Sequence, residues 1–335
     1  MKKISELKFD IRNKAKETLF NFLGNSYLIN KRIKYLSLKK NLTILNLHRV
    51  AEDDLSCYRP LNPEIFKELI IFLRNNYQIT SFSELRQIEN IRSSNSNKPK
   101  VILSFDDGYK DFITVVHPIL MNEGIRANQN IIPKCVETGN PPLNVAINDF
   151  LGKTNKKEWK NIEIPGYSWG ENINTYQEGL KLSTFIKNKP HKIQKKLEKI
   201  IRKQIGEKFY ELSTPMLSKE EILEIFKFYD WGAHSFDHAN MAEESNRFFI
   251  NDLKKCKDWF KNNLCYEPYI YAFPNGSYRE EQIEIAYKYG FLNPLLVNDD
   301  FSSTKNRCHD RFGFDASSFK EMKVKATGFI RKFFI

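Results

Sequence analysis

The chain has 335 residues, is 41% hydrophobic and 13% aromatic, and carries a formal net charge of +12. That apolar content fills a large core, which excludes a disordered chain, and the length fits one large α/β domain with additions. Five scattered cysteines with no C-x-x-C indicate neither a zinc knuckle nor a disulfide framework and point to a reducing compartment.

Residues 1–40 form a basic N-terminal extension with helical spacing, as in Leu7, Ile11, Ala15 and Leu19. It has no continuous apolar h-region, and nothing in the chain approaches the ~18 apolar residues of a spanning helix. The expected location is therefore the cytoplasm. The extension reads either as a helix docked on the main domain or as one lying on an anionic membrane. Lys14, Lys16, Lys31, Arg32 and Lys34 stand beside Phe20 and Phe22 for the second role.

Residues 41–335 read as one domain. "LTILNLH" (Leu42 to His48) is an apolar run that predicts a strand. "LNPEIFKELIIFLRNNY" predicts a helix, with Asn62 as its cap and Pro63 at its first position. "QITSFSELRQI" predicts a short strand and a capped helix, and "SSNSNKPK" a loop. "VILSFDDG" is a buried strand ending in Asp106, Asp107 and Gly108; a helix running to Gly124 and the strand "ANQNIIP" follow. Residues 139 to about 215 turn polar and lysine-rich, which predicts a partly helical insertion. The core then resumes as helix, "DWGAHS" strand, helix, "PYIYAFPNG" strand, helix and "FLNPLLVND" strand. This alternation predicts a parallel sheet or barrel wrapped by helices.

Two places carry chemistry. Asp106 and Asp107 sit where a buried strand runs out, and ligands of α/β folds gather at such carboxyl ends. Adjacent carboxylates repel, so one of them must lose its charge or meet a cation; a plain Asp-Gly turn is the alternative. His234 and His238 are four residues apart, so their imidazoles can converge. Two histidines and one carboxylate suit a divalent metal with open positions, zinc foremost. H-E-x-x-H is absent because Ser235 follows His234, so a general base must come from elsewhere.

"SFDDG", "HSFDH" and "FPNG", in this order within β/α units, resemble the first three motifs of the polysaccharide deacetylases, the NodB-homology group of carbohydrate esterase family 4. "LHRV" and the segment after it are similar to the lead-in of bacterial members. The resemblance covers roughly residues 42–135 and 215–300. It implies a distorted (β/α) barrel, to which the N-terminal helical extension and the helical insertion, both outside the resemblance, are added, and a metal-dependent hydrolase that deacylates sugars. It also implies Asp107, His234 and His238 as metal ligands and Asp106 as the general base. Pro274, Asn275 and Gly276 would turn near the acyl group. Two departures stand out. Many members carry an Arg that orients the base where this chain has Ala272, and the late catalytic His is not clean. His309, with Asp310 and Arg311 beside it, is a general acid or a polar loop residue. His48 lines the pocket mouth, as a substrate-binding residue, or caps its strand.

His117 and His191 read as structural. Tyr167 and Trp169 in the insertion stack on a sugar or pack internally. The expected partner is a carbohydrate, an N-acetylated sugar on a lipid or nucleotide carrier, with peripheral contact to anionic membrane. The lysine excess over arginine reads as a solvated surface, and no nucleic acid is expected. Two other classes share some of these features: a deacetylase-fold glycan-binding or assembly protein that lost turnover, and a two-His, one-carboxylate iron oxygenase, which lacks a close H-x-D here.

Overall fold

A computed structural model describes residues 14–88, 97–171 and 173–329. Its centre is a parallel sheet of eight strands: β1 Leu42–Leu47, β2 Gln78–Ile79, β3 Lys100–Phe105, β4 Asn128–Ile131, β5 Asp230–Ala233, β6 Ile270–Ala272, β7 Asn293–Leu295 and β8 Phe312–Gly313. The order is β7-β6-β5-β4-β3-β1-β8, and β2 also pairs with β3. β2 meets the start of β3 (Gln78 opposite Lys100), whereas β4 meets its end (Ser104 opposite Asn128). The two end strands, β7 and β8, do not pair, so the sheet curls without closing.

β1 and β3 are near-continuous apolar runs because both faces are buried: Leu45, Leu47, Leu103 and Phe105 join the main core, while Leu42, Ile44 and Ile102 pack inside the curl against Ile270 and Leu295. β4 is polar, "NQNI", yet fully buried. The two asparagine amides are paired inside the sheet, whereas that of Gln129 is buried without a partner: Asn128 Nδ2 donates to Asn130 Oδ1 at 3.0 Å, and Ser104 Oγ donates to Asn128 Oδ1 at 2.7 Å. Pairing removes most of the cost of burying these groups. It also fixes Gly232 on the next strand, since a Cβ there would stand 2.1 Å from Asn130 Oδ1.

The helix predicted after Asn62 runs Pro63–Asn76, and the Asn62 side chain accepts from the amides of Glu64 and Ile65. The helix expected up to Gly124 is interrupted. A π turn spans Phe112–Val116, and an α-helix follows at His117–Asn122. Pro118 has no N–H for a regular i→i−4 bond, which accounts for the break. β8 and the helix Phe319–Ala326 lie beyond the predicted elements.

In the extension, residues 14–23 and Ser26–Lys39 are helical. Phe20, Ile29 and Leu36 join the main core, Lys16 pairs with Glu321 at 3.2 Å, and Arg32 donates to the carbonyls of Thr327 and Gly328. Leu7 and Ile11 lie outside the described residues. The helix also has an outer stripe, Tyr27, Lys31, Lys34, Tyr35 and Leu38, which is exposed.

The insertion builds its own small core around Trp159, Leu182, Ile186, Leu197 and Phe209. Its helices Leu143–Lys153 and Thr175–Lys187 pack closely because Gly179 sits at the contact. A Cβ there would fall 2.5 Å from Cys57 Cβ and 2.8 Å from Asn148 Oδ1. Tyr167 and Trp169 serve this core: Tyr167 donates to Glu178, and Trp169 Nε1 donates to the Ile162 carbonyl.

Candidate active site

The carboxyl ends of β1, β3, β5 and β6 open into one cleft of about 260 Å³. His48 follows β1, Asp106 and Asp107 follow β3, His234 follows β5, and Asn275 and Gly276 follow β6; all of them line it with His238. The insertion closes the opposite side with Asn144, Asn148, Ser183 and Lys187.

At the floor, Asp107 Oδ1 stands 3.3 Å from His234 Nε2 and 3.5 Å from His238 Nε2. Three ligand atoms from these residues lie within 4.8 Å of one another, and all three residues are buried. His234 Nδ1 is 2.9 Å from the Ala272 carbonyl, which can only accept, so Nδ1 carries a hydrogen. In the neutral ring, Nε2 therefore turns a lone pair toward Asp107. Asp107 Oδ1 itself is buried with no hydrogen-bond partner, while Oδ2 accepts from Tyr109 at 2.8 Å. Lone pairs facing one another in a buried pocket repel unless a cation lies between them. The residues therefore fit a dication, and a proton is the substitute. Burial lowers His238 to about 4, which leaves it neutral and able to ligate. Burial also favours a neutral Asp107, but the imidazoles, when protonated, outweigh it, His234 first and then His238 and His48, and hold the carboxyl well below the usual range.

The local backbone is strained for this purpose. Asp107, Ser235 and His238 all have positive φ, at 75°, 60° and 52°. Asp252 holds the second strained loop: Oδ1 accepts from Ser235 Oγ and from the Phe236 amide, both at 2.9 Å, and Oδ2 accepts from Tyr271.

Asp106 does not share the triad. Arg311 makes two 2.8 Å bonds to it, Nη1 to Oδ1 and Nη2 to Oδ2, and Asn130 Nδ2 donates to Oδ1 at 2.8 Å. Burial alone would raise its pKa; Arg311 above all, with His234, pulls it well below the usual carboxylate range. Asp106 is thus an ionised, oriented carboxylate beside a cation site.

The polysaccharide deacetylase model matches residues 93–293, more than half of the chain. The chain belongs to the polysaccharide deacetylase family. It is a hydrolase of the sugar-deacetylase class. Three solved structures share the barrel. The Streptococcus pyogenes deacetylase PplD, solved with acetate, superposes with a TM-score of 0.56 at 16% identity, covering 86% of this chain and 98% of that one. A de-N-acetylase from Aggregatibacter actinomycetemcomitans gives 0.55 at 15%, covering 85% and 99%. IcaB from Ammonifex degensii gives 0.54 at 16%, covering 86% and 97%. At these identities the likeness shows the fold, a distorted (β/α) barrel. No curated protein matches the sequence.

The deacetylase cleft leaves out two residues expected in it. His309 is not in its lining. It is buried against the Phe82 ring, with Nδ1 2.8 Å from Ser302 Oγ, and burial lowers it to about 4. That placement sets His309 outside the cleft that holds Asp106 and Asp107, in place of the expected general-acid position. Pro274 is buried behind the two residues of its turn that do line the cleft. His48 is the remaining cleft imidazole. It is lowered by burial and raised in part by Asp107 and Asp106, and its ring meets Tyr58 edge-on.

Two positioning residues escaped the sequence reading. Arg311, immediately before β8, is fully buried and donates both Nη groups to Asp106. Its only signal is a lone Arg beside "CHD". Asp252 had a clearer one: it interrupts the buried stripe Phe249, Leu253, Cys256 and Phe260 of the helix Asn246–Leu264.

Proposed function

We propose that the chain removes an acyl group, N-acetyl foremost, from a sugar or glycan intermediate of cell-surface polysaccharide metabolism. A divalent metal, zinc foremost, would be held by Asp107, His234 and His238. The observation that carries this is the buried convergence of one unpaired carboxylate oxygen on two imidazole Nε2 atoms. A dication bound there would polarise the acyl carbonyl and make bound water acidic.

The chain's own residues supply the rest. Asp106, kept unprotonated by Arg311, takes the proton of the attacking water at its carboxylate. His48, across the cleft mouth, gives a proton to the leaving nitrogen or oxygen. Asn275 and Gly276 bound the space for the acyl group. The test is acetate release from N-acetylglucosamine oligomers by the metal-loaded protein. Asp106→Asn is expected to lower turnover by about 10²–10⁴-fold while metal stays bound; undiminished turnover would remove Asp106 from the mechanism. The non-catalytic glycan-binding reading rests on the missing third-motif Arg and on the unclear general acid; the Arg311 contact to Asp106 weakens the first of these, and proton donation by His48 is the test of the second.

Five free cysteines, three of them buried, support a reducing compartment, the cytoplasm. Among the described residues no helix is long and apolar enough to cross a membrane. The stripe Tyr27, Lys31, Lys34, Tyr35 and Leu38 supports peripheral contact with anionic lipid. Sedimentation with phosphatidylglycerol vesicles, but not with phosphatidylcholine vesicles, is the expected result; no difference between them would rule the contact out.

A further inference from the structure

The insertion wall of the cleft carries a charge that nothing in the cleft answers. Leu180, Ser183, Thr184 and Lys187 share one face of the helix Thr175–Lys187, and all four line the cleft. Lys187 stands in the last turn, half-buried, and its ammonium has no hydrogen-bond or ion-pair partner among the described residues. The acidic group it feels is Asp107. In the reading above Asp107 is a metal ligand, and a dication there would more than cancel its charge. Asp106, the other carboxylate of the lining, is already matched by Arg311.

Two nearby lysines are taken by carboxylates, and Arg202 lies over the Tyr210 ring. Past His238 the cleft meets a second cavity of about 210 Å³. There Lys195 is shared between Glu198 and Asp237, and Lys134 pairs with Glu137. Lys187 is different, and the strand wall facing the insertion offers the complement of a sugar hydroxyl: Asn46 Oδ1 is buried without a partner and lines the same cleft. A half-desolvated ammonium with no counter-ion and an orphaned acceptor call for a ligand with both an anionic group and a hydroxyl.

We propose that Lys187 anchors an anion subsite beside the reacting acyl group, so that the substrate is an acylated amino sugar bearing a phosphate ester or a carboxylate. The proposal rests on the deacetylase reading of the same cleft and adds the substrate's charge to it. Gly179 bears on it directly, because it brings the helix that carries Lys187 close to the barrel mouth.

The test compares dissociation constants on the zinc-loaded full chain, since only a bound dication cancels the charge of Asp107; a phosphate held by the dication itself would keep its preference in Lys187→Met, so that variant tells the two apart. The probes are N-acetylglucosamine, its 1-phosphate, its 6-phosphate and N-acetylglucosaminuronic acid. The wild type is expected to bind at least one charged sugar about ten- to a hundredfold more tightly than the neutral one. The two phosphates and the uronic acid separate the sources of the anion. Lys187→Met keeps the aliphatic stem and is expected to abolish the preference; Lys187→Arg is expected to keep most of it. An unchanged thermal transition shows that both variants are folded. Equal binding of charged and neutral sugars by the wild type, binding of none, or an undiminished preference in Lys187→Met would each overturn the proposal. Acetate release by the metal-loaded enzyme is read separately. Its absence with every sugar would sink the deacetylase reading, while the binding ratio would still decide the subsite.

Discussion

Arg311→Met removes a fully buried guanidinium that makes two 2.8 Å bonds to Asp106. Methionine keeps much of the volume, so the main loss is electrostatic. Asp106 is left buried with Asn130 as its remaining neutral donor. Breaking one side of a buried ion pair costs about 3–5 kcal/mol, a large part of a total stability of about 5–15 kcal/mol. Denaturant unfolding at neutral pH measures it. The pH dependence follows with a definite sign. In the wild type, burial works to raise Asp106 and Arg311 overrides it, so the pKa lies below the unfolded value. The stability contributed by Asp106 is therefore present above the unfolded carboxyl pKa and is lost as pH falls through the folded one. Without Arg311, burial dominates, and the acid limb of kcat/KM is expected to move up by about 1–3 pH units. Arg311→Lys keeps a charge but loses the fork, and is expected to fall between the two. A Met variant within about 0.5 kcal/mol of wild type, with the acid limb in place, would refute this account of how the base is held.

Other substitutions probe other parts. His48→Gln is expected to lower kcat by about 10²–10⁴-fold with metal content unchanged, by acetate release and elemental analysis; a change in KM alone would make His48 a binding residue. Gly179→Ala places a methyl group 2.5 Å from Cys57 Cβ, so the insertion helix must shift. It is expected to cost about 1–3 kcal/mol in denaturant unfolding and to weaken substrate binding; a neutral effect would mean that the wall is not fixed by this contact. Burial pulls Glu321 up, but Ser317 and Lys325 outweigh it and hold the carboxyl at about 2. Its contribution is present above the unfolded pKa and fades as pH falls toward 2. Glu321→Gln is therefore expected to be less stable than wild type at pH 7 by about 1–3 kcal/mol, with the gap closing in acid. A gap that stays constant down to pH 2 would contradict the assignment.

What could be read from sequence depended on where the information lay. The β/α alternation, the Asn62 cap and the polar ends of β1, β3 and β5 are local, and the structure has them where the pattern put them. The Asp-Asp and His-His pairs were legible because side chains at strand ends share one rim. Arg311 was not, because its partner Asp106 lies 205 positions earlier and only the curl of the sheet joins β1 to β8. His309 looked as available as His48 on paper; burial against Phe82 sets it apart. The insertion read as polar surface because its lysines dominate the composition, whereas its buried positions, Trp159, Leu182 and Ile186, are spread over several short elements. The π turn was not legible either, because the helical periodicity ran straight through Pro118, whose missing N–H breaks the regular ladder.

The central claim is that Asp107, His234 and His238 hold a working metal. Elemental analysis of the purified wild type and of His234→Ala, paired with acetate release from N-acetylated amino sugars, tests it most directly. The account predicts about one divalent ion per chain in the wild type and its loss in the variant together with turnover. Wild-type protein that takes up no divalent ion even when zinc is added back, or a His234→Ala variant that keeps both metal and turnover, would contradict it.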